Sequence, residues 1–355
     1  MSNEATVPMP SASKRLATNP IVIGLFLVGL VLVSAFLRTR SIHASFWMDE
    51  ALSVGIGSHP ILDIPHVLKR DGSPPLYYMT LAAWMGWFGR TEAATHALSL
   101  VFALVAIPVG AWSGWRLFGR RAGMFTAVLI AISVFLTTYA EETRMYTLIA
   151  LLSLIAATTF CLAFIQRERR WLPVLSIALA AMLYTHGWGI FFTVSCGIAW
   201  LWLVQQAGDK KPLVKDGLLA FGATAVLYLP WVPTLLFQAS HTGAPWSSKP
   251  RLGVFAQLAT LLGGWATAAA LFVGALGGLI AIWKSRPDAE QDVTPPSQTR
   301  ASLVSIAIMF TGTLLIAWTL SQFNPAWASR YMAAIICPLI LFFAAGMART
   351  KAVGV

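Results

Sequence analysis

The chain has 355 residues, of which 57% are hydrophobic and only 11% charged, and it carries a formal net charge of +11. Ordinary soluble domains have about 25% charged residues, so the composition excludes a soluble enzyme and indicates an integral membrane protein. The Lys and Arg residues lie in short clusters between apolar runs rather than in one basic stripe, which argues against nucleic-acid binding.

The apolar runs predict about ten transmembrane helices. The first run follows Lys14 and Arg15 and is longer than the apolar part of a signal peptide, which favours an uncleaved helix after a cytoplasmic tail, 1–19. The predicted spans are 20–37, 94–114, 122–139, 145–165, 171–186, 188–206, 217–236, 254–283, 301–322 and 331–348. A further apolar segment, 74–89, is short and begins with two prolines, so its placement needs another argument.

Loop charges supply that argument. If 74–89 does not cross the membrane, 16 of the 25 basic residues fall on one side, which the positive-inside rule makes cytoplasmic. We therefore predict that 74–89 lies in the outer interface or dips back into the membrane, and that both termini are cytoplasmic. The six clusters on the cytoplasmic side are Lys14/Arg15, Arg116/Arg120/Arg121, Arg167/Arg169/Arg170, Lys210/Lys211/Lys215, Lys284/Arg286/Arg300 and Arg349/Lys351.

The same topology places all six histidines and seven carboxylates at or near the outer face. This clustering indicates a functional site there, but solvated outer loops are also polar without any function. The long outer loop 38–93 is expected to be functional. The Pro-rich stretch 284–300 is predicted to be a cytoplasmic loop between a transmembrane module, 20–283, and the last two helices with a short tail, 301–355.

Two acidic and two basic residues of the long outer loop are candidates for chemistry. Asp49 and Glu50, in FWMDEALS, could accept the proton of an acceptor hydroxyl, since a neutral alcohol is a poor nucleophile; they could also be an ordinary solvated pair. Lys69 and Arg70, in KRDGSPPLYY, could bind a phosphate or lie beside anionic lipid.

Further candidates lie in later outer loops. Glu141, Glu142 and Arg144, in YAEETRMY, could line a site or pair among themselves, and His186, in YTHGWG, could be a simple loop histidine. Arg330, in NPAWASRY, could form a bidentate contact with phosphate oxygens, or its guanidinium could simply extend to the membrane interface. Carboxylates for an acceptor and cations for a lipid phosphate suggest one cavity open to the outer leaflet.

The ordered set FWMDEALS, DGSPPLYY, YAEETRMY, YTHGWG, YLPWVP and NPAWASRY resembles the GT-C superfamily of polytopic glycosyltransferases over roughly residues 20–348. Within it, the set is most similar to the dolichyl-phosphate-mannose protein mannosyltransferase and lipid A aminoarabinose transferase group. The resemblance implies an all-α GT-C-type membrane fold with interfacial helices in the first outer loop. It also implies a polyprenyl-phosphate sugar donor and inverting transfer to a hydroxyl acceptor (protein, glycolipid or polysaccharide) on the extracytoplasmic side of the plasma (inner) membrane.

The resemblance gives roles to the candidates. Asp49 matches the catalytic base, with Glu50 beside it. A phosphate leaving group needs electrostatic stabilisation more than a general acid, and Arg144 and Arg330 fit that task by position, with Lys69 or Arg70 assisting. The substrate cavity is expected to include Asp71, Tyr77, Glu141, Glu142, Tyr146 and His186.

Metal dependence and completeness are left open by the resemblance. Some of the superfamily bind a divalent ion between loop acids, here Asp49, Glu141 and Glu142, whereas others need none, and no obligatory metal is expected. The chain has Ser73 where relatives often have His, and His96-Ala97-Leu98-Ser99 where they often have Arg-Leu-Pro-Ser. Many relatives also continue further, so a partner subunit could be required. A carrier or lipid flippase without chemistry, and a non-catalytic subunit that binds lipid-linked sugar, are the alternatives.

Overall fold

The computed structural model of the chain describes residues 19–243, 247–284 and 295–350. This part of the chain is helical and contains no strand. Its helices are α1 (Pro20–Leu37), α2 (Met48–Gly57), α3 (Ile64–Asp71), α4 (Leu76–Phe88), α5 (Glu92–Phe118), α6 (Arg120–Ala131), α7 (Val134–Ala140), α8 (Tyr146–Phe160), α9 (Leu172–Thr185), α10 (Trp188–Gln206), α11 (Lys211–Tyr228), α12 (Val232–His241), α13 (Gln257–Leu261), α14 (Trp265–Lys284), α15 (Pro296–Ser321) and α16 (Ala333–Met347). Most of the predicted tail 1–19 and of the predicted loop 284–300 lies outside the described residues.

Eight stretches of the described chain are long and apolar enough to cross a membrane. They correspond to α1, α5, α8, α10, α11 with α12, α14, α15 and α16, and the pair α6 and α7 makes a ninth if it counts as one bent span. The chain is therefore an all-α, multi-pass membrane protein, as predicted. The described chain thus gives eight or nine such stretches where about ten spans were predicted. The difference lies in the bent pair α6 and α7 and in α9, which has only 14 residues and is too short to be counted on length.

Two predicted spans are interrupted. The prediction of one span over 254–283 is wrong in its first part, since a 3₁₀ turn and the short α13 precede α14. Gly263 and Gly264, with φ of 101° and 99°, separate α13 from α14, and only glycine adopts such angles at little cost. The predicted span 122–139 bends by 48° between α6 and α7.

A fully buried arginine holds that bend. Arg38, directly after α1, donates from Nη2 to the carbonyls of Ile130 (2.6 Å) and Ala131 (3.3 Å), and from Nη1 to the carbonyl of Ala103 (3.0 Å). A helix end leaves carbonyls without partners, and here the guanidinium satisfies them at the end of α6. The bend thereby sets the direction of α7 and so the position of the loop 141–145 that follows it.

The first outer loop folds into α2, α3 and α4, short helices of 10, 8 and 13 residues. Gly72, with a left-handed φ of 92°, ends α3 and turns the chain into the two prolines before α4. The indole of Trp84 donates to the carbonyl of Ala94 (2.7 Å) and so ties α4 to the start of α5. The 13 residues of α4 are fewer than a membrane crossing needs, in keeping with the prediction that 74–89 does not span.

Candidate active site

One cavity brings together four of the twelve candidate residues, Asp49, Asp71, Arg144 and Arg330. It has a volume of about 740 Å³ and lies between α2, the α3–α4 turn, α12 and the approach to α16. Its described lining is Trp47, Met48, Asp49, Leu52, Ile56, Asp71, Gly72, Ser73, Tyr78, Arg144, Leu235, Gln238, Ala239, Thr242, Gly243, Asn324, Ala326, Arg330 and Tyr331. Carboxylates, guanidinium groups and apolar side chains thus share one space.

The acidic pair lies in the first turn of α2. The carboxylate of Glu50 accepts the backbone N–H of Trp47 (3.1 Å), the residue before the helix, and so caps its first turn. Successive residues of a helix point in directions about 100° apart, so the two carboxylates separate. Glu50 is buried, with 3% of its surface exposed, whereas the Asp49 side chain is 20% exposed and lines the cavity.

Two guanidinium groups face Asp49. Its Oδ2 lies 3.3 Å from Arg330 Nη2 and 4.0 Å from Arg144 Nη2. Arg144 also donates from Nη1 to the Asp49 carbonyl (3.1 Å) and to Ser53 Oγ (3.0 Å), which fixes it on α2. Arg330 lies 5.5 Å from the ring centre of Trp47, at a distance typical of cation–π contacts. One carboxylate against two cations leaves a net positive charge of one at the centre of the cavity.

Glu50 is occupied by hydrogen bonds that do not involve the cavity. Its Oε1 accepts from His96 Nε2 (2.8 Å) and from the backbone N–H of Thr143 (2.7 Å). Burial alone would raise the pKa of Glu50, but the hydrogen bonds from His96, Thr143 and Trp47 more than offset it, so the pKa lies below its ordinary value. Glu50 therefore joins three outer segments and holds the loop that carries Arg144.

His96 is a residue of this site that sequence reasoning did not select. Its Nδ1 lies 2.7 Å from the Ile42 carbonyl, and its Nε2 faces Glu50. A carbonyl only accepts, so Nδ1 carries a proton, and the ring donates on one side to the first loop and on the other to the carboxylate. The available signal was the departure of His96-Ala97-Leu98-Ser99 from the arginine-containing pattern of relatives.

Glu142 and His186 lie beside the cavity with displaced pKa values. Burial, reinforced by repulsion from Glu50, raises the pKa of Glu142 to about 7, although Arg144 and Arg330 oppose this. Its Oε2 is buried and has no hydrogen-bond partner among the described residues. Burial, with repulsion from the same two arginines, lowers the pKa of His186 to about 3, so its ring is neutral at physiological pH. His186 Nδ1 accepts the N–H of Trp188 (3.1 Å).

The remaining candidates fall into two groups. Asp71 lines the cavity. Tyr146 lies next to a lining residue, since the centre of the Tyr146 ring is 5.8 Å from the guanidinium carbon of Arg144. Lys69, whose ammonium lies 4.5 Å from the Phe237 ring centre, and the exposed Arg70 are not part of the cavity lining.

Two further candidates also lie away from the lining. Tyr77 is buried behind it, 3.4 Å from Ser99 Oγ, and the neighbouring Tyr78 lines the cavity instead. Glu141 accepts the backbone N–H of Ser41. Besides Tyr78, the lining residues that sequence reasoning did not select include Trp47, Gln238, Asn324 and Tyr331.

The candidate metal ligands do not form a metal-binding group. In the part of the chain that the structure describes, no three His, Cys, Asp or Glu side chains gather in that way. Asp49 faces guanidinium groups and Glu141 binds a backbone N–H of the first loop, so the donor set of Asp49, Glu141 and Glu142 does not fit a divalent ion. Metal independence itself stays a prediction.

The helical architecture has the fold of GT-C glycosyltransferases. It is similar to the crystal structure of ArnT, the lipid A aminoarabinose transferase, from Cupriavidus metallidurans, with a TM-score of 0.68 and 14% identity over 96% of this chain. ArnT bound to undecaprenyl phosphate matches with a TM-score of 0.62 and 15% identity over 94% of the chain. The chain spans 61% of the length of ArnT in both structures.

A second GT-C protein matches less closely. The archaeal oligosaccharyltransferase AglB from Archaeoglobus fulgidus, in complex with an inhibitory peptide and a dolichol-phosphate, gives a TM-score of 0.57 and 12% identity over 91% of this chain and 50% of its own. No protein-family model and no curated protein sequence matches the chain. At these identities the likeness is one of fold, and it agrees with the resemblance that the loop motifs carry.

Proposed function

We propose that this protein is an inverting glycosyltransferase that moves a monosaccharide from a polyprenyl-phosphate carrier to a hydroxyl acceptor on the extracytoplasmic side of the plasma (inner) membrane. The observation that carries the proposal is the single cavity in which Asp49 faces Arg144 and Arg330. Solved structures of two proteins of similar fold contain polyprenyl phosphates, undecaprenyl phosphate in one and a dolichol-phosphate in the other, which supports a lipid phosphate as the donor's carrier.

The two arginines bind the donor phosphate. Guanidinium groups form strong paired contacts with phosphate oxygens, and their charge stabilises the phosphate as it leaves the sugar. In the structure both arginines face the Asp49 carboxylate. A phosphate group carries oxygens for both of them, so donor binding draws the arginines away from Asp49. The arginines supply the positive charge that a metal ion would otherwise provide, and no metal is required.

Asp49 then acts as the base. Released from its two cations, the carboxylate accepts the proton of the acceptor hydroxyl while the hydroxyl oxygen attacks the anomeric carbon. The bond from that carbon to the phosphate oxygen breaks on the opposite face, so the configuration inverts. The proton ends on Asp49 and the electron pair on the phosphate. Glu50 does not contact substrate and serves as a positioning residue.

The rim of the cavity suits a lipid tail. Met48 is 73% exposed and Leu52 is 53% exposed, and both line the cavity together with Trp47. A polyprenyl chain in the outer leaflet can lie along these side chains while its phosphate reaches the arginines. The lipid tail then stays in the membrane, while the donor phosphate, the sugar and the acceptor share the cavity.

Sugar transfer in proteoliposomes tests the proposal. A panel of labelled polyprenyl-phosphate hexoses and pentoses is incubated with wild-type protein, with Asp49→Asn and with the control Asp63→Asn, an exposed aspartate of the same loop that does not line the cavity. Cell-envelope extract supplies the acceptor. Removal of a general base lowers rates by about 10²- to 10⁴-fold, and we expect such a loss in Asp49→Asn alone.

Two results would overturn the proposal. Equal transfer by wild type and Asp49→Asn would remove the base from this position. Movement of the labelled lipid between leaflets, with no covalent product from any donor, would identify a carrier or flippase instead.

A further inference from the structure

We infer that the protein has a second lipid site, for an anionic phospholipid, at the end of the helical bundle opposite the candidate active site. The phosphate group occupies a basic cavity where α9 and α11 begin, and an acyl chain lies in the groove between these two helices. The inference rests on contacts far from Asp49 and does not depend on the proposed function.

The two helices run in the same direction and contact each other along their lengths. At the C-terminal ends of the two helices, the Tyr184 hydroxyl donates to the Leu227 carbonyl (3.1 Å). These ends lie on the side of the candidate active site. At their N-terminal ends the chain before α9 is bound to α11 through Asp216. Its carboxylate accepts a hydrogen bond from Arg167 Nη2 (3.1 Å) and forms an ion pair with Arg169, whose Nε lies 2.8 Å away. The site is therefore one full helix length from the candidate active site.

The region where α9 and α11 begin is strongly basic. A cavity of about 310 Å³ is lined by Arg167, Arg169, Lys211, Pro212, Lys215 and Asp216. It adjoins a second cavity of about 490 Å³, lined by Lys210, Lys211, Val214, Lys215, Leu218 and Leu219. Five cations stand against two carboxylates, Asp209 and Asp216, which leaves a net charge of +3.

The charge is not cancelled within this region. Asp216 is 1% exposed, and its two oxygens are each held by an arginine, so it is not available to the lysines. The Asp209 carboxylate accepts the backbone N–H of Lys211 (3.1 Å). Among residues 19–243, 247–284 and 295–350, no carboxylate lies within ion-pairing distance of the three lysine ammonium groups. The cavity thus presents fixed arginines and open ammonium groups to an anion.

An apolar groove continues from this basic mouth. A third cavity, of about 660 Å³, shares Arg169 with the first and Leu219 with the second. The rest of its lining is Leu172, Pro173, Ser176, Ile177, Ala220, Ala223, Val226 and Leu227. A basic cavity followed by an apolar groove complements an amphipathic phospholipid, whose phosphate would occupy the basic cavity and whose acyl chain would lie in the groove.

The backbone beside the mouth is unusual. Arg167 has φ of 62° and is the one described residue other than glycine with a positive φ. It follows a π-helical turn, Cys161–Ile165, at the end of α8. Such turns and such backbone angles are enriched at functional sites, because only strong local contacts maintain them. For Arg167 the stabilising contact is the ion pair with the buried Asp216, which holds the guanidinium in the lining of the cavity.

The groove favours a phospholipid over a protein partner or a nucleic acid. Its rim residues Ile177 and Val226 are 61% and 69% exposed on helices embedded in the bilayer, where the surrounding molecules are lipids. Basic pockets between transmembrane helices at the membrane surface bind acidic lipid headgroups, and charge complementarity selects an anionic one.

Native mass spectrometry of the purified protein tests the inference, with phosphatidylglycerol and phosphatidylcholine of identical chains added in equal amounts. We expect preferential retention of phosphatidylglycerol by the wild type and roughly tenfold weaker retention by the double variant Lys211→Gln/Lys215→Gln. The matched control Arg121→Gln/Lys284→Gln removes two exposed cations outside these cavities and should retain the lipid as the wild type does.

A second pair of variants tests the groove. Ala223→Trp fills the trough, whereas Ala225→Trp places the same ring on an exposed position of α11 outside the lining. We expect only the former to lose phosphatidylglycerol. Equal losses in the two charge variants would show diffuse surface attraction, and unchanged retention in Ala223→Trp would show that no chain enters the groove. Stronger retention of a polyprenyl phosphate than of phosphatidylglycerol would identify a different occupant, and each of these three results would overturn the inference.

Discussion

Asp49 and Glu50 are sequence neighbours with opposite environments. Asp49 faces a cavity and two guanidinium groups, while Glu50 is buried and accepts three hydrogen bonds. The helix that begins at Met48 creates this division, because neighbouring residues of a helix face different directions. At the scale of single residues, one carboxylate is therefore available for proton transfer and the other fixes its surroundings.

Glu142 makes stability depend on pH. Its pKa is raised from an ordinary 4.5 to about 7, so the folded state binds more protons than the unfolded state between these values. By linkage, the contribution of Glu142 to stability is complete below about pH 4.5 and is lost as pH rises through about 7. We expect Glu142→Gln, which cannot ionise, to reduce the fall in melting temperature between pH 5 and pH 8 by an amount that thermal scans in detergent can measure.

The wild type, scanned in the same detergent and buffers, supplies the reference slope. An unchanged slope in Glu142→Gln would contradict the assignment of that proton to Glu142.

The bend between α6 and α7 is the feature that matters at the scale of helices. Arg38 is fully buried and binds the carbonyls that end α6. Beyond the bend, α7 leads into the loop that contains Thr143, bound to Glu50, and Arg144, bound to α2. A buried side chain after the first helix thus determines the position of a cation in the cavity.

Removal of the Arg38 guanidinium is expected to be costly. Arg38→Met removes a buried donor from the carbonyls of Ala103, Ile130 and Ala131, and we expect it to lower the free energy of unfolding by about 2–4 kcal/mol. Denaturant titration in mixed micelles measures the change. Arg40→Met is the matched control, since Arg40 is exposed and its guanidinium lies over the Phe36 ring. Equal losses in the two variants would show that the bend does not depend on Arg38.

At the scale of the whole molecule, the long helices were predictable because apolar length determines which segments enter a bilayer. The loop motifs also grouped Arg144 and Arg330 with Asp49, which the structure places together, but contacts between distant segments were not predictable. Glu50 is hydrogen-bonded to His96 and Thr143, which lie 46 and 93 residues further along the chain. The hydrophobic periodicity of a single segment does not predict such a contact. For the same reason the sequence predicted one span where α13 and two glycines precede α14.

The predicted orientation places the active-site cavity outside and the Lys210–Lys215 region in the cytoplasm. Cys161, Cys196 and Cys337 are buried, so native labelling by a membrane-impermeant maleimide should be low. In intact cells we expect labelling of Asp63→Cys, in the first outer loop, and labelling of Asp209→Cys only after permeabilisation. Labelling of Asp209→Cys alone in intact cells would reverse the orientation and place the proposed chemistry in the cytoplasm.

The central claim is that Arg144 and Arg330 exchange Asp49 for the phosphate of a lipid carrier. The affinity of purified protein for a polyprenyl phosphate tests this without knowledge of the sugar or the acceptor. The account predicts that Arg330→Gln binds roughly tenfold more weakly than the wild type. It predicts that Asp49→Asn binds more tightly, because its competing carboxylate is gone, and that the exposed Arg70→Gln binds as the wild type does. Unchanged or weaker binding in Asp49→Asn, together with unchanged binding in Arg330→Gln, would contradict it.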